Sequence, residues 1–200
     1  MSVSIKTYCT IVNTLVEKNG VMVSDPSGWD EAAVISNLIE ANRIFRVAKV
    51  KFEFAGLTTL EFEGSRKDGK VDRTGTFEVI AAKIGARSFT RGEVHVAFIK
   101  MFAGGNYRGL SVQDWCYACV QWPDVITKPQ RAWVLAHELG HLLGLGHNCT
   151  DQTRMMHYSW LFTVGHTISK AELAIIKAHP HVDPKATYVA QTEEEPACRG

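Results

Sequence analysis

Between Ala136 and Asn148 the chain reads AHELGHLLGLGHN, and four of these residues carry side chains suited to metal-assisted hydrolysis. On a helix, His137 and His141 stand four residues apart and project from the same face one turn above the other, so two imidazoles can share one ion. Glu138 points in a neighbouring direction, near enough to take a proton from water on the metal without itself ligating. A catalytic zinc keeps one position open and needs three protein ligands. His147 is the candidate third. Gly144 supplies the means, because a glycine can take left-handed dihedrals, end the helix and turn the chain back, whereas a continuing helix would carry position 147 to another face.

An isolated HExxH is a modest signal, since helical histidines are often surface or hydrogen-bonded core residues. The longer pattern HExxHxxGxxH resembles the zinc signature of the metzincin clan of metallopeptidases, matched here at His137, Glu138, His141, Gly144 and His147. That clan carries a methionine turn beneath its metal, and RMMHYSW (154–160) stands at a suitable distance downstream. The resemblance assigns Met156 rather than Met155 to the turn. In the astacin-like and serralysin-like branches a tyrosine two residues later reaches the metal or the scissile carbonyl, and Tyr158 then falls at that place, where Met155 would put His157. Asn148, after the third histidine, departs from astacins, serralysins, matrixins and adamalysins alike, so no branch is assigned.

The resemblance implies a zinc endopeptidase acting on protein or peptide substrates. Zinc would lower the pKa of its water, Glu138 would take the proton and later deliver it to the departing amine, and Tyr158 would hydrogen-bond the developing oxyanion. It also implies a substrate lying extended along an edge strand, with residues 105–113 (GNYRGLSVQ) at the upper rim and the chain between His147 and Tyr158 walling the specificity pocket. The rival reading is a catalytically silent protein of the same fold that only binds a peptide. The retained Glu138 argues against it, because a glutamate that ligates nothing has no structural need to sit there. An effector delivered into another cell is a third reading, with the same catalysis.

The elements that must position these residues are readable in outline. Residues 3–12, 50–62 and 93–101 have the β-branched alternation of strands. From Trp29 to Ala48, Val34, Leu38, Ala41 and Phe45 recur at helical spacing, with Asp30 and Glu31 where a helix N-terminus favours negative charge. A polar loop, 64–75, precedes a short helix over 76–86. Residues 110–122 (LSVQDWCYACVQW) read as an edge strand or an irregular rim, 129–144 as a strongly apolar helix, 168–178 as a late helix and the last twenty residues as a surface tail. The fold class expected is α/β and metzincin-like: a twisted mixed sheet, two long helices above the cleft, and a smaller, mostly irregular C-terminal part with one helix. It forms a single domain over 1–200, divided at Gly144 into an upper part (1–144) and a lower part (145–200).

Composition sets the outer limits. The 200 residues suit one domain, and 46% hydrophobic against 22% charged residues is the balance of a soluble globular protein. A formal net charge of +1 gives no field favouring nucleic acid or an anionic membrane, no stretch is long enough to span one, and a monomer is expected. No signal peptide precedes the first strand, so a secreted protein, the compartment expected, would have lost its leader; a delivered or cytoplasmic protein is the alternative. Of five cysteines, Cys116 and Cys119 are expected in structural disulfides with Cys149 or Cys198 among the partners, with free thiols or a metal as alternatives, and Cys9 is the fifth. His95, His166, His179 and His181 lack ligand spacing and are expected in core or surface roles. Asp68 and Asp72 read as a solvated loop, and the Asn148 sequon as accidental.

Overall fold

The computed structural model describes residues 2–63, 71, 75–103, 108–121, 128–151, 153–157 and 167–189. Strands β1 (Val3–Lys18) and β2 (Val21–Asp25) lead to helix α1 (Glu31–Phe45), strand β3 (Val50–Glu63), helix α2 (Gly75–Lys83) and strand β4 (Glu93–Ile99). The short strand β5 (Gly109–Val112), a 3-10 turn (Gln113–Trp115), strand β6 (Tyr117–Gln121), helix α3 (Lys128–Leu142) and helix α4 (Lys170–Ala178) follow. The result is a mixed α/β fold on an open six-stranded sheet. β1 pairs in parallel with β3 on one side and β4 on the other, β4 pairs in parallel with β6, and β2 and β5 run antiparallel to β1 and β6.

Both faces of this sheet are covered, which explains why its middle strands read as nearly unbroken apolar runs. In β4, Val94, Val96 and Phe98 enter the core shared with α1, α3 and α4, while Ala97 and Ile99 enter a second core with Phe77, Ile80 and Ala81 of α2. α1 begins where its sequence signals it: the Asp30 carboxylate accepts the Ala33 amide at 2.7 Å, closing an N-cap. Its buried stripe holds Val34, Leu38, Ala41, Ile44 and Phe45. Asn42, on the same helix, exchanges two hydrogen bonds with the Phe52 backbone, donating at 2.9 Å and accepting at 2.7 Å, on the edge of β3 that no strand covers among the described residues.

Three expectations need correction. β1 does not end near Val12 but continues to Lys18 and returns as β2 through Asn19 (φ 53°) and Gly20 (φ 78°), the left-handed pair that suits a tight hairpin. Residues 110–122 are neither a single edge strand nor an irregular rim. β5 turns at Cys116, φ 49°, into β6, and every residue of β6 is buried between β4 and β5. Cys116 and Cys119 form no disulfides: they and Cys9 are free, buried thiols. Cys116 lies in the core against α3 and Cys119 in the core against α2, so the two point to opposite faces. Cys149 is disulfide-bonded. Among the described residues no helix is long and apolar enough to cross a membrane.

Candidate metal centre

α3 ends as its glycine requires. Gly144 has φ 82°, its amide donates to the His141 carbonyl at 2.9 Å, and the Leu145 amide donates to the Gly140 carbonyl at 3.0 Å. This pair of bonds is a Schellman motif, which reverses the chain within three residues. His147 is thereby returned to the face from which His137 and His141 project. One nitrogen from each of the three rings lies within 4.8 Å of the others, and this is the one such group among the described residues.

The ring orientations follow from backbone carbonyls. His137 Nδ1 lies 3.0 Å from the Met155 carbonyl and His141 Nδ1 lies 2.8 Å from the Leu145 carbonyl. A carbonyl can only accept, so both Nδ1 atoms carry the proton, and in the neutral rings both Nε2 atoms present lone pairs. Those two Nε2 atoms face each other at 3.1 Å. Two nitrogens 2.0–2.1 Å from one tetrahedral zinc would stand about 3.3 Å apart. The donor set therefore fits the ion, and the cluster is one that could bind zinc. Burial, then the neighbouring His141, hold the His137 pKa down at about 3 against the opposing pull of the Met155 carbonyl, with His147 and His157 adding to the depression. A ring kept neutral is a ring able to ligate.

Beneath the helix, residues 154–157 form a tight turn in which the His157 amide donates to the Arg154 carbonyl at 3.2 Å. Met155 supplies the carbonyl that orients His137. Met156 is fully buried, with its sulfur against Gly140 of α3. Asn148 ties this turn to the third histidine: its amide donates to the Met156 carbonyl at 2.7 Å, and its side-chain oxygen accepts from the amides of Thr150 (3.0 Å) and Asp151 (2.8 Å). The residue that departs from the familiar branches thus organises the loop after His147. Tyr158, expected beside the metal, lies outside the described residues, as do Asp68, Asp72 and His166.

Glu138 is 6% exposed and is met by β5. Ser111 Oγ donates to Glu138 Oε2 at 2.8 Å, and a Cβ on Gly109 would stand 2.6 Å from the Glu138 carboxyl carbon. The sequence places 105–113 at the rim but does not single out Gly109 and Ser111 as the neighbours of Glu138, although the period of a strand puts positions 109 and 111 on one face. His157, buried and near enough to His137 to depress its pKa, was also missed; the sequence offers only its position after the paired methionines. Of the core or surface roles expected of His179 and His181, both take the former, being buried. His181 Nδ1 accepts the Gly92 amide at 2.9 Å, its Nε2 lies 3.4 Å from Cys116 Sγ, and His179 Nε2 lies 2.8 Å from Gln113 Nε2.

No protein-family profile and no curated relative matches the sequence. Solved structures share the fold. Metalloproteinase-II from Bacteroides fragilis superposes with a TM-score of 0.56 at 15% identity over 87% of this chain, which spans 52% of that protein's length. Archaemetzincin from Methanopyrus kandleri gives 0.54 at 15% identity, covering 86% of this chain and 94% of its own. A zinc-dependent peptidase from Methanocorpusculum labreanum gives 0.50 at 11% identity, covering 85% and 99%. At such identities the likeness speaks to the fold.

Proposed function

We propose that this chain is a zinc-dependent endopeptidase of metzincin type in which His137, His141 and His147 hold the metal and Glu138 is the general base. The observation that carries the reading is the pair of Nδ1 contacts to backbone carbonyls, which leaves two Nε2 lone pairs converging on one point with a third histidine beside them. Likeness of fold to proteins described as a metalloproteinase and a zinc-dependent peptidase supports it.

Bound there, zinc would supply an acidified water and polarise the scissile carbonyl. The chain does the rest. Glu138 takes the proton of the attacking water and passes it to the departing amine, a proton transfer of the kind that contributes about 10²–10⁴-fold. The substrate, a protein or peptide, lies extended beside β5, whose outer edge offers backbone donors and acceptors in register. Tyr158 would donate to the oxyanion, and Met156 would be the methionine of the turn. The cleft runs between an upper part, 1–144, and a lower part, 145–200, of one monomeric domain.

The test is hydrolysis of a broad peptide library by the parent and by Glu138→Ala, each assayed for bound zinc. The reading expects zinc in both and cleavage only by the parent. Zinc in both with cleavage by neither would replace it with a silent peptide-binding protein of the same fold.

A further inference from the structure

A buried carboxylate is costly unless hydrogen bonds satisfy it, and a general base works only when its oxygens stand where the proton will be. Glu138 meets both requirements through β5. The strand is fixed to β6 by the register Gly109↔Val120, Leu110↔Cys119 and Ser111↔Ala118, so Gly109 and Ser111 share the face turned toward α3. Gly109 contributes an absence: any side chain there would fall on the Glu138 carboxylate, so glycine lets the strand come this close. Ser111, two residues on, contributes the bond, donating to Oε2 at 2.8 Å. A hydroxyl-to-carboxylate bond of this kind is charge-assisted.

We infer that Ser111 is a positioning residue for Glu138, holding the carboxylate in one rotamer from the edge strand while Gly109 keeps the space above it clear. The inference rests on the peptidase reading, through which Glu138 has a proton to move. In this role the Ser111 side chain acts through Glu138 and touches neither substrate nor metal. Losing it would remove the bond that ties the carboxylate to the edge strand and so loosen its aim, which weakens the chemical step and leaves ground-state binding alone.

The experiment has two arms on the full chain. In the first, kcat and KM are measured on one cleaved peptide for the parent, Ser111→Ala and Ser111→Thr, with zinc content and Tm recorded for each. Ser111→Ala should lose about 10–100-fold in kcat with KM and zinc content unchanged, and Ser111→Thr, which keeps the hydroxyl, should recover most of it. In the second, urea unfolding of the parent, Ser111→Ala, Glu138→Gln and the double variant forms a cycle independent of turnover. The destabilisations should be non-additive, because the two side chains share a bond. Parental kcat in Ser111→Ala, a change confined to KM, loss without rescue by threonine, or an additive cycle would each overturn the inference while the peptidase reading stands. Absence of cleavage by the zinc-loaded parent would sink the peptidase reading, and the positioning role with it.

Discussion

Met156 fills the space in which any side chain at position 140 would have to stand. Its sulfur lies 2.5 Å, and the terminal carbon of Met155 2.9 Å, from where a Cβ on Gly140 would be. The turn is therefore seated against bare backbone between His137 and His141, and the same turn carries the Met155 carbonyl that fixes the His137 ring. Gly140→Ala should push the turn away from the helix. Overpacking of this kind costs about 1–3 kcal/mol, or about 2–12 °C in Tm for a chain of this size. Loss of the carbonyl to His137 should weaken zinc binding about 10–100-fold in a competition titration with a chromophoric chelator.

Gly144 and Gly85 both have positive φ, 82° and 76°, but only the first has neighbours. A Cβ at 144 would meet His179 at 3.3 Å and Ile175 at 3.5 Å, whereas one at 85 meets open space. Alanine at either position should cost about 1–3 kcal/mol of backbone strain in urea unfolding. Alanine at 144 should cost more, and should also lower zinc affinity, since the turn it distorts delivers His147. Equal zinc affinity in the two variants would show that His147 reaches the cluster without that turn.

Zinc removal should be legible in stability before any substrate is found. Without a cation the His137 and His141 lone pairs oppose each other at 3.1 Å, so an ion there favours the folded state. At a free zinc concentration of a thousand times Kd the stabilisation is about 4 kcal/mol. A chelator should lower Tm accordingly and zinc should restore it, with Glu138→Ala behaving as the parent does and His147→Ala showing a reduced response.

His179 and His181 should make stability fall on mild acidification. Burial depresses both, His179 to about 4 and His181 to about 3, the latter with help from His179 and Arg91. Unfolded histidine titrates near 6.5, so between that value and the folded pKa the unfolded state binds the extra proton and stability declines as pH falls. The stabilisation is complete above about 6.5, and each residue contributes a slope of at most about 1.4 kcal/mol per pH unit below it. Urea unfolding at several pH values, parent against His179→Gln, isolates one of the two, because the metal-site histidines are common to both proteins. Parallel pH profiles would exclude the contribution.

The free thiols should be silent in the folded protein. Burial pushes Cys9 and Cys119 up to about 12 and Cys116 to about 11, and all three side chains are almost wholly enclosed. Thiolate is the reactive form. Peptide mapping after treatment with an alkylating agent at pH 8 should find these three unmodified until denaturant is added.

What the sequence made legible was local. The spacing of the three histidines and the glycine that ends the helix lie within eleven residues, related by one helix and the turn that closes it. The Asp30 cap and the α1 stripe were readable for the same reason. The misses came from long-range pairing. Nothing in YACVQ says that it is central rather than peripheral until β4 lies on one side and β5 on the other, and nothing in GLS says that its face meets Glu138 until α3 crosses beneath it. The Asn19–Gly20 hairpin was the exception, a local signal passed over. The carbonyls of Leu145 and Met155 leave no trace in residue identity, because any residue could supply them.

The three histidines fall within eleven consecutive residues, while the sheet requires β1 to find β4 and β3 far along the chain, as Lys6 finds Glu93 and Val3 finds Val50. Closing a short loop costs little entropy and takes far less time than assembling parallel strands of large sequence separation. During folding, then, the ligands can gather before the groups that aim them: Met155 needs its turn, and Ser111 needs β5 seated on β6. The cluster and the groups that aim it therefore belong to different stages of the chain's maturation, the first needing one helix and the turn that ends it, the second the finished sheet.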